Sequence, residues 1–432
     1  MNVNGKKSKS GGFGALVTVA WRNVWRNKRR TALCVAAVGI AVFFNIFMTS
    51  WVDGMFESIA QIVRVFSSGD VSVTSARYQE EKEYFPVQYP ISDSPDGDAI
   101  LAATRAIPGV AAALPRISAY ATLFDSTVKH AILWGLDLPA ETKAHWFNLT
   151  ERSDGLVEGR FPETGANECA IGVTFAKKAG LRVGDRIPLK TVSAEFSDKY
   201  WSPVVTGIFK FDYRPVDEST VVVPVDRLSR VLGMEGGLQQ LALFLDDPRD
   251  SGRVRDQTAA ALAGLSGKAG ADSVLEWKDD YWVALWSSMT VLFAIVFLVF
   301  QVVASFLIIN TMLMVIHERI KEIGMMGALG MTRREIVTVF FLEAVTLSVI
   351  GSLAGCIVGG LSAWLGSLFP LDVNAFMGGG MKDLPIAGTI YLSFSAKSIV
   401  NGFLFGVIVS SVCTLFPSLK SAFIQPVEAL RR

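Results

Sequence analysis

The sequence has little of what metal sites and disulfide-stapled domains are built from. It contains four cysteines and three histidines among 432 residues. Cys34, Cys356 and Cys413 lie in apolar runs, which leaves Cys169 alone in the large polar region, so no disulfide can form within that region. The histidines lie apart from the cysteines and show no ligand spacing. The polar region must therefore fold around an ordinary core, and no metal is expected.

Nucleotide-binding motifs are also missing. No G-x-x-x-x-G-K-[ST] occurs, and the glycines of residues 324–330, spaced three apart after an apolar run, do not match a dinucleotide fingerprint. His317 and Glu318 begin an H-E-x-x-H pattern, but Lys321 occupies the second histidine position. The chain is predicted to hold no cofactor and to catalyse nothing, so any ATP with Mg²⁺ must bind a partner.

Charge is scarce as well, and its distribution is informative. Charged residues make up 19% of the chain and hydrophobic residues 51%, with a mean hydropathy of +0.39. Lys and Arg concentrate beside apolar runs, in residues 22–30, in residues 319–334 and at the C-terminus. The positive-inside rule places all three clusters in the cytoplasm, so an even number of spans separates the two ends.

These patterns predict an α-helical membrane protein with four transmembrane helices and an α+β periplasmic domain inserted between the first and second spans. The predicted segments are a tail and basic amphipathic interfacial helix (1–30), the first span (31–52), the periplasmic domain (53–280), the second span with a stalk (281–316), a cytoplasmic coupling helix (317–335), the third span (336–368), a periplasmic loop (369–397), the fourth span (398–417) and a cytoplasmic tail (418–432).

Within the polar region, alternation and apolar periodicity predict the individual elements. Strands are expected at 70–74, 117–124, 128–134, 201–209, 219–223 and 241–245, after a helix that continues the first span. Helices are expected at 98–106, 173–179 and 250–265. Residues 180–189 should form a helix end, a tight turn at Gly184 and Asp185, and a strand.

The second apolar run is too long for a bilayer. Residues 281–316 contain no charge and would measure roughly 54 Å as one helix, so the helix is expected to project as a stalk. The third run carries Gly351, Gly355, Gly359 and Gly360, which favour close helix packing. In the fourth run, Pro417 is expected to end or bend the helix.

Two polar residues in the spans leave alternatives open. Asn45 is the one strongly polar side chain of the first span, and it faces either another helix or a cavity. Glu343 lies in the third span, and an ionisable residue there is a candidate functional site. A structural role is favoured for Glu343, because a proton relay needs partners and the spans offer no second carboxylate.

Residues 317–335 connect the second and third runs and have the chemistry of a docking surface. Charges open the segment, a small apolar surface follows, and Gly330 ends it. Thr332 then occupies a helix N-cap position with Glu335 three residues later, so a new helix is expected to begin there. A short helix should therefore lie across the membrane surface.

The sequence resembles the FtsX-like/MacB-type ABC transporter permeases of the type VII superfamily. The resemblance is carried by WRNVWRNKRRTAL before the first span, by ERIKEIGMMGALGMTRREI with FFLEAVTLSVIGSLAGCIVG, and by the final PVEALRR. Within the family, GDVSVTSARY after the first span and the absence of a fused ATPase domain are similar to the lipoprotein-releasing (Lol) branch. The resemblance implies a bacterial inner-membrane protein that works by mechanotransmission, with a second permease subunit, identical or homologous, and a separate ATPase dimer.

The resemblance also implies where these partners bind. The ATPase-coupling residues would be Glu318, Arg319, Glu322, Ile323, Gly324, Met325, Met326, Ala328, Leu329 and Gly330. A shielded cavity for an amphiphile would be lined by Phe43, Phe44, Phe47, Met48, Met289, Phe293 and Phe297, although these residues could equally face lipid or pack together.

The leading hypothesis is a permease subunit that extracts lipoproteins or related amphiphiles from the inner membrane and hands them to a periplasmic carrier. A MacB-like exporter of periplasmic peptides or toxins is the transport alternative. A non-transporting regulator of a cell-wall hydrolase, of the FtsX type, is the alternative from another class. Membrane lipid is expected as a partner and nucleic acid is not, because the basic N-terminal helix suits a membrane surface.

Overall fold

The computed structural model describes residues 18, 21–22, 25, 28–93, 96–124, 130–144, 155–211, 213–266, 272–318, 325, 331–369, 371–372 and 389–421. They belong to two compact units. The helical unit draws on Met1–Met55, Ser288–Leu371 and Tyr391–Arg432, and the sheet unit draws on Phe56–Ser287 and Asp372–Ile390.

Short helices alternate with strands along the sheet unit, and a long helix precedes and follows this run. The helices are α1 (Lys28–Val63), α2 (Ala76–Glu80), α3 (Gly97–Arg105), α4 (Leu138–Ala144), α5 (Val173–Ala179), α6 (Arg214–Ser219), α7 (Val225–Leu232), α8 (Ser251–Ser266), α9 (Tyr281–Glu318), α10 (Arg333–Leu368) and α11 (Ala396–Ser421). The strands are β1 (Val71–Ser75), β2 (Val110–Leu123), β3 (His130–Leu136), β4 (Leu156–Gly159), β5 (Glu168–Gly172), β6 (Leu189–Val192), β7 (Asp198–Trp201), β8 (Val204–Phe209), β9 (Thr220–Pro224), β10 (Gln240–Leu245), β11 (Asp272–Glu276), β12 (Leu371–Asp372) and β13 (Thr389–Ile390).

In the described part of the chain, eleven strands form one mixed sheet in the order β11-β1-β10-β2-β3-β9-β5-β8-β4, with β6 pairing β2 and β7. The β3–β9 and β5–β8 pairs are parallel, and the other pairs are antiparallel. β1, close to the start of the unit, lies between β10 and β11, close to its end. The first strand after α1 therefore pairs with the last strand before α9.

Helices cover the sheet over separate apolar clusters. α5 and α7 contribute Phe175 and Leu228 to one cluster, and α3 and α8 contribute Ile100 and Val254 to another. Cys169 lies in the first cluster, fully buried, and burial raises the pKa of its thiol. This cysteine is thus a core residue of the sheet unit.

In the helical unit, α1 packs on α10 along a line of glycines. Val42 of α1 faces Gly355, where an added Cβ would lie 2.8 Å from the Val42 Cβ and 2.6 Å from the Gly39 carbonyl oxygen. Ile46 faces Gly359, where an added Cβ would lie 3.0 Å from the Ile46 Cβ. The predicted close packing at the third-run glycines is confirmed, because a Cβ would clash at Gly355 and would be tightly crowded at Gly359.

Several predictions about local structure are confirmed. The helix continuing the first span, the single helix over residues 281–316, and the strands near 70–74, 117–124, 128–134, 219–223 and 241–245 are all present. Helices α3, α5 and α8 match the three predicted ones. Gly180 ends α5 in the left-handed conformation, and Gly184 has a φ of 98° in the turn before β6.

One prediction is wrong, and one alternative of another is excluded. The strand expected over 201–209 is two strands, since β7 ends at Trp201 and β8 begins at Val204, with Pro203 between them unable to donate a ladder hydrogen bond. Pro417 does not end the last helix, because α11 continues to Ser421, and a bend at Pro417 stays a prediction. Proline removes one backbone donor, and apolar membrane helices tolerate that loss.

Candidate functional site

The predicted coupling segment lies largely outside the described residues. Glu318 is the last residue of α9, and Met325 is helical and exposed. The remaining predicted coupling residues, Arg319, Glu322, Ile323, Gly324, Met326, Ala328, Leu329 and Gly330, are not among the described residues. Their contacts with a partner therefore stay a prediction.

The helix after this segment begins as predicted. The Thr332 hydroxyl accepts a hydrogen bond from the Glu335 backbone N–H at 3.4 Å, and the Glu335 carboxylate accepts one from the Thr332 N–H at 2.8 Å. This capping box satisfies free backbone donors at the start of α10. The cap stops α10 from extending backward into residues 317–331.

A cavity of about 290 Å³ lies between α1 and α9 in the helical unit. Its lining side chains are Ala37, Ile40, Ala41, Phe43, Phe44, Asn45, Phe297, Phe300 and Val303. Phe44 packs on Phe300 with ring centroids 5.6 Å apart, which brings the two helices together at this level. The cavity is therefore built from apolar and aromatic groups, with one carboxamide.

The structure brings only some of the predicted cavity residues to this place. Phe43, Phe44 and Phe297 line the cavity. Phe47 and Phe293 each stack on the lining phenylalanine four residues away in their own helix, with centroids 5.9 Å and 6.3 Å apart. The predicted residues Met48 and Met289 are half-buried and do not line it.

Five lining residues were not predicted from the sequence as cavity residues, and for Asn45 a cavity was one of two alternatives. Phe300 lies three residues after Phe297, and Val303 three residues after Phe300, so helical spacing makes each the neighbour of the one before it. Ala37 and Ala41 are small and give no bulky apolar signal. Val42 and the residues four positions before and after it pack against α10, and Ala37 and Ala41 lie on the adjoining face of α1, which lines the cavity.

A junction ties the end of α1 to the sheet. Asp70, which is 1% exposed, accepts hydrogen bonds from the Arg64 guanidinium and from the Leu245 backbone N–H, the latter at 2.9 Å. The Asp70 backbone N–H donates to the Leu243 carbonyl at 2.8 Å, and the Asp70 carbonyl accepts from the Trp277 N–H at 3.1 Å. A single buried residue thus connects the turn after α1 with β10 and with the segment before α9.

The start of α9 joins the same junction. Asp280 accepts a hydrogen bond from the Trp282 backbone N–H at 3.0 Å and one from the Ser67 hydroxyl at 3.4 Å. Ser67 belongs to the π-helical turn Arg64–Ser68 that follows α1, a geometry that often marks functional sites. Within the sheet unit, the polar side chains at the end of one long helix therefore contact those at the start of the other.

Glu343 is buried in α10 and shares a face with Phe340 and Leu347, which pack against α1. Glu343 does not line the α1–α9 cavity. Among the described residues, no group of three or more His, Cys, Asp or Glu side chains is placed to hold a metal ion.

By length and composition, four of the described helices can cross a membrane: Thr31–Ser68, Tyr281–Phe300, Arg333–Leu368 and Ala396–Leu415. Such helices are typical of an integral membrane protein, and the same chain carries a large α+β unit.

Comparison with known proteins specifies the class further. Residues 31–261, more than half of the chain, match the MacB-like periplasmic core domain, and residues 294–426 match the FtsX-like permease C-terminal region. The chain belongs to the FtsX-like/MacB-type family of ABC transporter permeases. Its relatives are permease components of ABC transporters, a class that works with an ATPase.

Individual relatives are distant. The lipoprotein-releasing system transmembrane protein LolC of Neisseria meningitidis is 24% identical over 342 residues, covering 75% of this chain and 78% of LolC. An uncharacterized ABC transporter permease of Mycobacterium tuberculosis is 24% identical over 280 residues, 62% of this chain and only 30% of that relative. The crystal structure of the periplasmic region of MacB from Actinobacillus actinomycetemcomitans aligns with a TM-score of 0.35 at 11% identity, covering 50% of this chain and 92% of that one.

Proposed function

We propose that this chain is the membrane subunit of an ATP-driven transporter that extracts lipoproteins, or related amphiphiles, from the outer leaflet of a bacterial inner membrane. The observation that carries the proposal is the aromatic-lined cavity between α1 and α9. It occurs in a chain whose relative LolC is named as a lipoprotein-releasing protein. Hydrocarbon is the ligand that such a lining favours.

The energetics of acyl chains explain why such a transporter needs a cavity. Each buried CH₂ is worth about 0.8 kcal/mol, so a cargo with two or three acyl chains would need tens of kcal/mol to pass through water. A cavity lined by Phe43, Phe44 and Phe297 lowers this cost by replacing the lipid contacts. The second permease subunit, identical or homologous, would shield the open side.

The proposed topology has four spans, with both termini in the cytoplasm and the sheet unit in the periplasm between the first and second spans. The clusters of Lys and Arg beside the apolar runs support this orientation. In this arrangement residues 317–335 face the cytoplasm, where a separate ATPase dimer would receive residues 318–330. ATP with Mg²⁺ would bind that partner.

Force is proposed to travel along α9. This helix has 38 residues and a length of roughly 57 Å, against about 30 Å of hydrocarbon. A movement of the coupling segment at its C-terminal end would reach Asp280 at its N-terminal end without crossing a loop. Asp280 and Asp70 would then pass the movement to the sheet unit, which would hand the cargo to a periplasmic carrier.

Depletion of the protein followed by membrane fractionation tests the proposal. We expect outer-membrane lipoproteins to accumulate in the inner membrane, and wild-type protein to restore their distribution. Ala41→Phe, which fills the cavity, should fail to restore it. Ala36→Phe is the matched control, because Ala36 is exposed on the same helix and does not line the cavity. A normal lipoprotein distribution after depletion would contradict the proposal.

A second candidate function is export of periplasmic peptides or toxins. The match of residues 31–261 to the MacB-like periplasmic core domain favours it. Under this alternative, depletion would leave lipoproteins in place and raise sensitivity to drugs or toxins. The same fractionation therefore separates the two candidates.

A further inference from the structure

The α1–α9 cavity contains one polar side chain among its nine lining residues. Asn45 stands beside Phe43, Phe44 and Ala41 on α1, opposite the apolar side chains of α9. The described hydrogen bonds engage the Asn45 backbone, whose carbonyl accepts from the Thr49 hydroxyl at 2.8 Å, and none of them engages its carboxamide. An amide in apolar surroundings is unfavourable unless a partner bonds it.

The position of the carboxamide leaves a group for a ligand. The Asn45 Oδ1 lies 3.6 Å from where a Cβ at Gly402 would be, so the oxygen is close to α11. The amide nitrogen Nδ2 of the same group carries two hydrogen-bond donors. Its natural partner in a hydrocarbon-lined cavity is a carbonyl oxygen.

We infer that Asn45 binds the ester or amide carbonyl of an acylated amphiphile whose chain occupies the α1–α9 cavity. The inference rests on the proposed function and adds the chemical group that is recognised. The aromatic side chains bind any hydrocarbon chain, whereas the carboxamide distinguishes an acyl chain from an alkyl chain of the same length.

A matched pair of lipids tests the inference on the full chain in nanodiscs. 1-Palmitoylglycerol and 1-hexadecylglycerol differ only in the carbonyl, and each competes with a fluorescent fatty probe. We expect the wild type to bind the acyl compound roughly three- to tenfold more tightly, the range expected for one hydrogen bond. Asn45→Leu should abolish this preference and keep the affinity for the alkyl ether.

Asn401→Leu is the control, because Asn401 is an exposed carboxamide on α11 outside the cavity, and this variant should retain the preference. Equal binding of the two lipids by the wild type would overturn the inference and leave the transport proposal intact. A preference that persists in Asn45→Leu, together with loss of the permease dimer, would assign Asn45 to the subunit interface and also overturn it. Binding of neither lipid would show that the cavity is not a lipid site and would contradict both proposals.

Discussion

At the scale of single residues, Arg116 brings a guanidinium into the interior of the sheet unit. Its Nε and Nη2 donate to the two Glu141 oxygens at 2.7 Å and 2.9 Å, and both side chains are at most 1% exposed. The guanidinium also lies 5.6 Å from the Trp134 ring centroid and 5.5 Å from that of Phe244. Burial, bidentate geometry and ring contacts make the two residues one unit.

Arg116→Met should therefore destabilise the protein by about 3–5 kcal/mol, because it leaves the Glu141 carboxylate buried without its cation. The double variant Arg116→Met with Glu141→Leu should recover most of this loss, since no charge remains buried. Thermal unfolding of the detergent-solubilised chain measures both effects. Equal destabilisation by the single and double variants would show that the pair acts through shape alone.

At the scale of elements, the junction at Asp70 depends on strands and helices that are distant in sequence. The carboxylate accepts from Arg64 in the turn after α1 and from Leu245 at the end of β10. Its backbone oxygen accepts from Trp277, just before α9. Helix ends alone would fray, whereas these bonds hold them to the sheet.

Asp70→Ala should accelerate hydrogen exchange at the Leu245 amide by roughly ten- to a hundredfold, since a hydrogen bond to a charged group is worth about 1.5–3 kcal/mol. Asp247→Ala is the control, because Asp247 caps only an exposed turn by accepting from the Arg249 N–H. Exchange that is unchanged in Asp70→Ala, or equally accelerated in both variants, would show that the sheet does not depend on the junction.

The glycine line between α1 and α10 gives a second prediction for elements. Gly355→Ala should destabilise the helical unit by about 1–3 kcal/mol, because its Cβ would lie 2.6 Å from the Gly39 backbone oxygen. The same change at Gly264, a position with nothing within 4 Å, should stabilise its helix by up to about 1 kcal/mol. Thermal unfolding compares the two, and a stable Gly355→Ala protein would mean that α1 and α10 can separate.

At the scale of the whole molecule, α1 and α9 each contribute residues to both units. The family matches follow the same division, with 31–261 belonging to the MacB-like core domain and 294–426 to the FtsX-like C-terminal region. The proposed mechanism places an ATPase contact at one end of α9 and a cargo contact elsewhere. The residues between 318 and 330 are the proposed ATPase contact.

Charge reversal at Glu318 and Glu322 should uncouple ATP hydrolysis from transport without preventing membrane insertion, because the partner surface is expected to match those charges. Reversal of Glu195 and Glu235, two exposed glutamates of the sheet unit, is the control and should leave transport unchanged. Membrane fractionation and the ATPase rate of the assembled complex measure the outcome. Unchanged transport in the Glu318 and Glu322 double variant would contradict the proposal that residues 318–330 contact the ATPase.

What the sequence by itself determined about this protein follows from local physics. Uncharged runs of span length, the Thr332 cap before Glu335, and the glycines of the third run are readable because hydropathy, capping and side-chain size act over a few residues. Their order along the chain was also sufficient for the family resemblance.

Only the tertiary structure decided the rest. β5 and β11 carry no clear alternation, and they are strands because β8, β9 and β1 pair with them. The roles of Asp70 and Arg116 depend on partners up to 207 and 25 residues away, Trp277 and Glu141. The phenylalanines of α1 and α9 were visible in the sequence, but only packing chose which of them line the cavity beside Asn45, because composition does not determine which face of a helix meets its neighbour.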